Sequence, residues 1–314
     1  MDPYYVARDI SVVIPLYNKA AEIGATLRSV LCQTQPPREI IVVDDGSTDG
    51  SAEIVERMGS CAVTLVRRSN GGVSAARNEA MRMASGRWVA LLDGDDMWYP
   101  DYLKDMASLI ARYPDCGAYG SGFYVECDGR RTLGDTPRNG GGGIVDFFRE
   151  SMSRYVLIPS ATVLRRDLAL RLGGFPEGMR MGEDQYLWTK IARSAPVAFS
   201  PTPSVVYLRS ASNRSAASYR PEHTRFSFED LYDPAADEMS NEYVARAALG
   251  KALIESVSGG TDAAARAVEF FSYNRLSRRI ATKVRILNAL PPRLRPAVFA
   301  AYNRLAWVVA RKGL

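Results

Sequence analysis

The residues best suited to chemistry stand at the end of an apolar run. Residues 88–92, Trp-Val-Ala-Leu-Leu, stop abruptly at Asp93-Gly94-Asp95-Asp96. Five apolar residues in a row predict a strand buried on both faces of a parallel sheet. Three carboxylates cannot share that interior, because unpaired buried charge is prohibitively costly. They must sit where the strand leaves the sheet, the edge at which open α/β sheets bind ligands. Hard oxygen ligands there suit Mg²⁺ or Mn²⁺ and, through the ion, a diphosphate. The competing reading is a solvated acidic turn, since Asp-Gly is a turn dipeptide. A second strand shifts the balance. Residues 39–43 (Glu-Ile-Ile-Val-Val) also run into acids, Asp44-Asp45, followed by Gly46-Ser47-Thr48-Asp49. Two carboxylate clusters on one sheet edge are hard to explain by structure alone.

The elements that must position these acids are legible from periodicity. Strands over 11–15, 39–43, 62–66 and 87–92 alternate with helices over 20–33, through Ile54 and Val55, over 73–84 and over 101–113. Ser47, Thr48 and Asp49 are N-cap candidates for the second helix, and Pro100 sits just inside the start of the fourth. Such alternation implies a parallel sheet with helices on its faces and right-handed crossovers. Farther on, strands over 117–125 and 157–164, a helix over 183–193 and an extended stretch over 196–209 are expected. Four glycines at 140–143 mark a linker, with an active-site lid as the alternative. Beyond 222 the pattern is helical, near 223–232, 238–257, 262–289 and 294–312, with breaks at Gly259-Gly260 and Pro291-Pro292.

Composition narrows the class. The chain has 314 residues, 46% hydrophobic and 24% charged, with a net charge of +5. That charge is unevenly placed. Residues 270–314 hold ten Lys/Arg and no acid, leaving thirty basic against thirty-five acidic groups in residues 1–269. An acidic body with a basic tail suggests an anionic partner for the tail. Cys32, Cys61, Cys116 and Cys127 form no C-x-x-C pair, and His223 is the one histidine, so reduced core thiols are expected rather than a zinc site. The first residues lack the pattern of a signal peptide, and no uncharged apolar stretch is long enough to span a bilayer. A cytoplasmic protein is the expectation.

In order along the chain stand S-V-V-I-P-L-Y-N (11–18), I-I-V-V-D-D-G-S-T-D-G (40–50), N-G-G-V-S-A-A-R-N (70–78), W-V-A-L-L-D-G-D-D (88–96) and G-E-D-Q-Y-L-W (182–188). Together they resemble the family 2 inverting glycosyltransferases of the GT-A fold, over roughly residues 10–210. The resemblance implies an α/β fold: a GT-A nucleotide-sugar-binding domain over 1–215, its mostly parallel sheet flanked by helices, with a basic helical extension over 216–314. It also implies roles. Pro15, Tyr17 and Glu22 would border the nucleotide base, and Asp45 would accept a hydrogen bond from it. Arg77 would lie near the sugar-diphosphate, although pairing with a surface acid is an equal alternative. Asp93, Asp95 and Asp96 cover the D-x-D region, with Asp95 toward the ribose and the metal and Asp96 on the Mn²⁺ or Mg²⁺. Asp184 would be the general base, and residues 173–176 the acceptor-side turn. The donor would be a UDP-, GDP- or dTDP-sugar, and the acceptor a glycan or lipid-linked hydroxyl.

Two departures from the family pattern matter. A Tyr-x-x-His expected about 25 residues after Glu183-Asp184 is missing: Tyr207-Leu208-Arg209-Ser210 places Ser210 where the His would be, leaving Arg209 or Arg214 to meet the diphosphate. The Q-x-x-R-W signature of processive synthases is also absent, which favours addition of one sugar. In the tail, Val298, Phe299, Tyr302, Leu305, Ala306 and Val309 share a helical face flanked by Arg295, Arg304, Arg311 and Lys312, with Trp307 near its border. That face suits either an anionic membrane surface, at the inner side of the cell membrane, or packing on the catalytic domain. Nucleic acid is a poor partner, since aromatics do not interleave with the basic run. The expectation is therefore a metal-dependent inverting glycosyltransferase of cell-surface polysaccharide or glycolipid synthesis. The alternatives are a catalytically silent nucleotide-sugar-binding subunit and, less well matched, a nucleotidyltransferase lacking its glycine-rich triphosphate loop.

Overall fold

A computed structural model describes residues 2–59, 61–137, 142–211, 224–272 and 274–302. Arg214, His223, Gly140 and Gly141 of the glycine run, and Arg304, Leu305, Ala306, Trp307, Val309, Arg311 and Lys312 of the tail lie outside these residues. The chain divides into two compact units, Met1–Ala217 and Ser218–Leu314.

The first unit opens on α1 (Pro3–Ala7), whose first turn is capped by the Asp2 carboxylate. It then alternates as expected: β1 (Ile10–Leu16), α2 (Ile23–Leu31), β2 (Glu39–Asp44), α3 (Ser51–Arg57), β3 (Val63–Arg67), α4 (Val73–Met83) and β4 (Trp88–Leu91). After β4 come β5 (Met97–Trp98), α5 (Tyr102–Arg112), β6 (Ala118–Cys127), β7 (Arg130–Leu133), β8 (Gly143–Val145), α6 (Phe147–Ser151), β9 (Thr162–Arg165), α7 (Arg166–Arg171), α8 (Glu183–Ser194) and β10 (Val197–Leu208). All ten strands join one sheet in the order β3-β2-β1-β4-β9-β6-β10-β5, with β7 added to β6 and β8 to β10. From β3 to β4 every pairing is parallel. β9 breaks that pattern. It runs antiparallel to both β4 and β6, and parallel pairing resumes only between β6 and β10.

This topology assembles the site. Leu16 lies opposite Asp44, Asp44 opposite Arg67 and Val13 opposite Leu91, so β1 to β4 all end on one edge. Because β9 is antiparallel, its start reaches the same edge: Thr162 faces Leu91, preceded by a 3₁₀ turn at Pro159–Ala161. The sheet interior is apolar where the acids are not. All four residues of β4 are buried, and Trp88 meets Tyr119 edge-on at 5.4 Å. α4 lies against β1 and β2 and buries Ala75, Ala76 and Ala80, small side chains that let the helix approach closely, together with Met81.

Some expectations are corrected. α3 is preceded by Gly50 in a left-handed conformation (φ 85°) rather than by a capping Ser or Thr; the Asp49 carboxylate instead takes the N–H groups of Ala20 and Ser51. The strand expected over 157–164 begins only at Thr162, after the 3₁₀ turn at Pro159–Ala161. Only Cys116 is a core thiol, while Cys32, Cys61 and Cys127 are exposed.

The second unit is helical: a 3₁₀ turn at Phe228–Leu231, then α9 (Glu238–Ser258), α10 (Thr261–Phe270) and α11 (Arg278–Ala289), with residues 295–302 helical. The helix expected near 223–232 is represented in the described residues by that single 3₁₀ turn. The helix expected over 262–289 is interrupted, because the buried Glu242 carboxylate accepts the N–H groups of Arg275 and Leu276 at 2.7 and 3.2 Å. Among the described residues no helix is long and apolar enough to cross a membrane.

Candidate active site

The acid turn is held from three sides. Its backbone folds back through the Asp96 N–H to the Asp93 carbonyl. Gly94 lies against the exit of β1, where a Cβ would come within 3.2 Å of the Pro15 carbonyl oxygen. Ser160 Oγ accepts the Asp93 N–H at 3.1 Å and donates to Asp96 Oδ2, while Trp98 Nε1 donates to the Ser160 carbonyl at 2.7 Å. Asp96 is 1% exposed, and its other oxygen takes the Leu208 N–H, at the end of β10, at 2.8 Å. Burial, followed by repulsion from Asp95 and Asp93, pushes its carboxyl well above the usual range.

Both Asp96 oxygens accept hydrogen bonds, from Ser160 and from the Leu208 N–H, which join the acid turn to the Pro159–Ala161 turn and to β10. Asp93 and Asp95 are the more open pair. Asp95 is held by Lys19 Nζ at 2.7 Å; burial and the charge of Asp93 still push its carboxyl up. Losing the Ser160 hydroxyl should leave a buried Asp96 oxygen without its donor. We expect Ser160→Ala to cost about 1–3 kcal/mol, read as a lower urea midpoint with an unchanged slope.

Arg77 joins the acid turn to the start of α8. It is buried on α4, with Nη2 2.7 Å from Asp93 Oδ1 and Nη1 3.2 Å from Glu183 Oε1. Its guanidinium lies 5.1 Å from the centre of the Phe175 ring. Burial alone would depress its basicity, but Asp93, Glu183 and Asp184 hold it firmly protonated. It is neither a surface ion pair nor an uncommitted diphosphate ligand, because both terminal nitrogens are on carboxylates. Glu183 and Asp184 open α8 behind Gly182 (φ 81°), and Asp184 Oδ1 takes the Gln185 N–H at 2.7 Å. Burial, then the charge of Asp184, raises the Glu183 carboxyl from 4.5 to about 7. Asp184 is also raised, chiefly by burial, against the pull of that N–H and of Arg77.

Next to Arg77, Asn78 fixes the 173–176 turn. Its Oδ1 accepts the Phe175 N–H at 2.8 Å and its Nδ2 donates to the Phe175 carbonyl at 2.9 Å. Gly174 sits at φ 68°, and a Cβ there would fall 2.4 Å from Asn78 Oδ1, so only glycine fits. One helix thus holds the acid turn, the Glu183-Asp184 pair and the turn beside them.

On the far side of β1, Asp45 is buried, and its oxygens take the N–H groups of Gly71 and Gly72 at 2.9 and 2.7 Å, with Arg68 Nε at 3.2 Å. It pins the turn that launches α4. Burial raises its carboxyl in spite of those bonds. A carboxylate offers about four acceptor positions, so a base N–H would share an oxygen already engaged. Pro15 and Tyr17 lie at the end of β1, Tyr17 exposed, and Glu22 precedes α2. Arg209 and Ser210 are exposed just past β10. Lys19, Asn78, Ser160 and Glu183 were not assigned from sequence. Glu183 stands inside a quoted motif, but Ser160 carries no local signal because its neighbours are sixty-odd residues away.

The donor set suits a divalent cation of the Mg²⁺ or Mn²⁺ kind. Among the described residues no three His, Cys, Asp or Glu groups form a ready-made metal cluster. Such ions commonly take only one or two carboxylates and complete their shell with water and substrate phosphate oxygens. The mutual repulsion within Asp93, Asp95 and Asp96 is what a cation there would relieve.

With this edge in view, the comparisons define the class. Residues 11–173 match the family described as Glycosyl transferase family 2. The chain belongs to that family. Its structure is similar to the crystal structure of S. aureus TarS 1-349 in complex with UDP-GlcNAc, at 24% identity and a TM-score of 0.60, covering 85% of this chain and 73% of that one. It is also similar to the mannosyltransferase PcManGT from Pyrobaculum calidifontis in complex with GDP-Man and Mn²⁺, at 24% identity and a TM-score of 0.54, covering 96% and 86%. These likenesses establish a GT-A-type fold with added C-terminal helices. Among relatives, the chain is 35% identical over 122 residues, 38% of its length, to the Escherichia coli UDP-Glc:alpha-D-GlcNAc-diphosphoundecaprenol beta-1,3-glucosyltransferase WfgD, covering 47% of that protein. The chain spans about a third of the length of other curated relatives it matches, 30% of one and 39% of another.

Proposed function

We propose that this chain moves a single sugar from a nucleotide-sugar to a hydroxyl acceptor with inversion at the sugar carbon, in the assembly of a surface glycan or glycolipid. The observation that carries this reading is the Arg77 bridge. One buried guanidinium ties Asp93, at the edge where the diphosphate would sit, to Glu183 beside Asp184. Donor-side acids and a candidate base are thereby fixed to one rigid helix. The name of WfgD and the ligands bound to TarS and PcManGT support a nucleotide-sugar donor and, for WfgD, a lipid-diphosphate acceptor.

In this reading Asp95, with Asp93, faces Mn²⁺ or Mg²⁺, and Asp96 holds the turn. The cation would supply Lewis-acid neutralisation of the charge that grows on the leaving diphosphate. Lys19, already on Asp95, places a positive charge beside the same group. Asp184 takes the acceptor hydroxyl's proton as the oxygen attacks the sugar carbon from the face opposite the diphosphate, and direct displacement inverts that carbon. Arg77 keeps Glu183 and Asp93 from repelling each other while this happens. Pro15, Tyr17, Glu22 and Asp45 line the approach for the base. The second reading, a subunit that binds nucleotide-sugars without turnover, is favoured only by Ser210 in place of a histidine.

The test is hydrolysis of a panel of UDP-, GDP- and dTDP-sugars with and without Mn²⁺. Turnover that needs the metal is expected. Its rate should fall on the acid side as the coupled Glu183/Asp184 pair takes up a proton near neutrality; the apparent value belongs to the pair. Tight binding without turnover across acceptors would leave the binding-subunit reading.

A further inference from the structure

Leu294, just before the last helix, and Val298 and Tyr302 within it stand at successive four-residue intervals, and each is more than two-fifths exposed. Side chains at i, i+4 and i+8 form one line along a helix, so these three make a continuous apolar stripe. The helix is held firmly at its base. Arg295, 8% exposed, points inward, where Nε donates to the Leu290 carbonyl at 2.9 Å and Nη2 to that of Asn288 at 3.3 Å. The stripe faces out because this arginine faces in.

α11 continues the surface. Its buried face is Ala281, Val284 and Leu287. On the opposite side Arg279, Lys283 and Ile286 fall at i, i+4 and i+7. Ile286 is 55% exposed, and Lys283 Nζ lies 4.4 Å from the centre of the Tyr302 ring, which joins the two helices' outer faces. No acid occurs from 270 onward. Glu269 on α10 lines a hollow with Arg285, so Arg285 is not part of the basic row.

We propose that this surface, Leu294, Val298, Tyr302 and Ile286 with Arg279 and Lys283, docks the chain on an anionic lipid bilayer. Contiguous exposed apolar groups mark interaction sites. Apolar side chains beside an unopposed basic row match the boundary between acyl chains and anionic headgroups, where the carbons leave water and the cations stay among phosphates. A nucleic acid would use the cations but has no comparable use for Leu294, Val298 and Ile286. Docking would also bring the chain to a lipid-linked acceptor; that consequence rests on the function proposed above, while the docking itself does not.

The experiment is co-sedimentation of the full chain with vesicles of phosphatidylglycerol and phosphatidylcholine, and with phosphatidylcholine alone, at low and high salt. Binding is expected to the anionic vesicles only and to weaken with salt. Arg279→Glu with Lys283→Glu should reduce it at least tenfold, and Leu294→Ser with Val298→Ser should reduce it at unchanged salt dependence. Both double variants should keep wild-type helical content and wild-type hydrolysis of sugar-nucleotide in solution. No binding to anionic vesicles, equal binding to neutral ones, or wild-type binding by the charge-reversed variant would overturn the proposal, as would pelleting without lipid, which means self-association. Vesicle binding with no sugar-nucleotide turnover would instead sink the catalytic reading and leave the docking surface standing.

Discussion

Arg77→Ala is expected to destabilise the first unit by about 3–5 kcal/mol, the cost of removing one partner from a buried ion pair and leaving charge behind. Two carboxylates, Asp93 and Glu183, lose their shared cation at once, and the Phe175 ring loses the guanidinium lying over it. The loss should depend on pH in a definite direction. The folded-state Glu183 carboxyl is raised from 4.5 to about 7. A raised carboxyl favours the folded state fully below its unfolded value and ceases to do so as pH climbs through the folded one. Wild-type stability should therefore decline between about pH 4.5 and 7. In Arg77→Ala the carboxyl rises further, so the deficit relative to wild type is small in acid and grows toward pH 8. Arg77→Lys keeps a charge but cannot fork to two carboxylates, and should recover only part of the loss. Urea unfolding at three pH values measures all of this. A deficit independent of pH would show that Arg77 acts by packing and not by charge.

That bridge was only partly legible in the sequence. The alternation of strands and helices through β4 follows from apolar periodicity, and so does the gathering of Asp44-Asp45 and Asp93-Asp96 on one edge, because parallel strands must end together. What periodicity cannot say is which strand lies next to β4. β9 enters antiparallel after a long excursion, and it is this insertion that delivers Ser160 to Asp93 and Asp96. Its partners are distant in sequence, so no local pattern marks them. Side-chain direction is equally hidden. Arg77 sits in a quoted motif, yet its commitment to Asp93 and Glu183 depends on where α8 begins, more than a hundred residues later. The metal role of Asp96 is what the resemblance implies; in sequence the three acids are otherwise alike, and only burial, with bonds from Ser160 and Leu208, sets Asp96 apart from the more open pair.

The sharpest test of the site is Asp184→Asn, a substitution of nearly identical shape. If Asp184 takes the acceptor proton, turnover should fall by about 10²–10⁴, the usual contribution of a positioned general base, while the affinity for nucleotide-sugar stays close to that of wild type. A second consequence separates this role from a merely structural one. The charge of Asp184 is, after burial, the largest influence raising Glu183. Neutralising it lets Glu183 ionise at lower pH, so residual turnover should lose its acid limb near neutrality. Glu183→Gln provides the contrast. It removes a partner of Arg77 and should lower stability and weaken positioning, with a smaller loss of rate once substrate is saturating. The reverse result, an active Asp184→Asn and a dead but folded Glu183→Gln, would move the base to Glu183. Its raised carboxyl could then serve near pH 7, and Arg77 would become the group that holds that base in place.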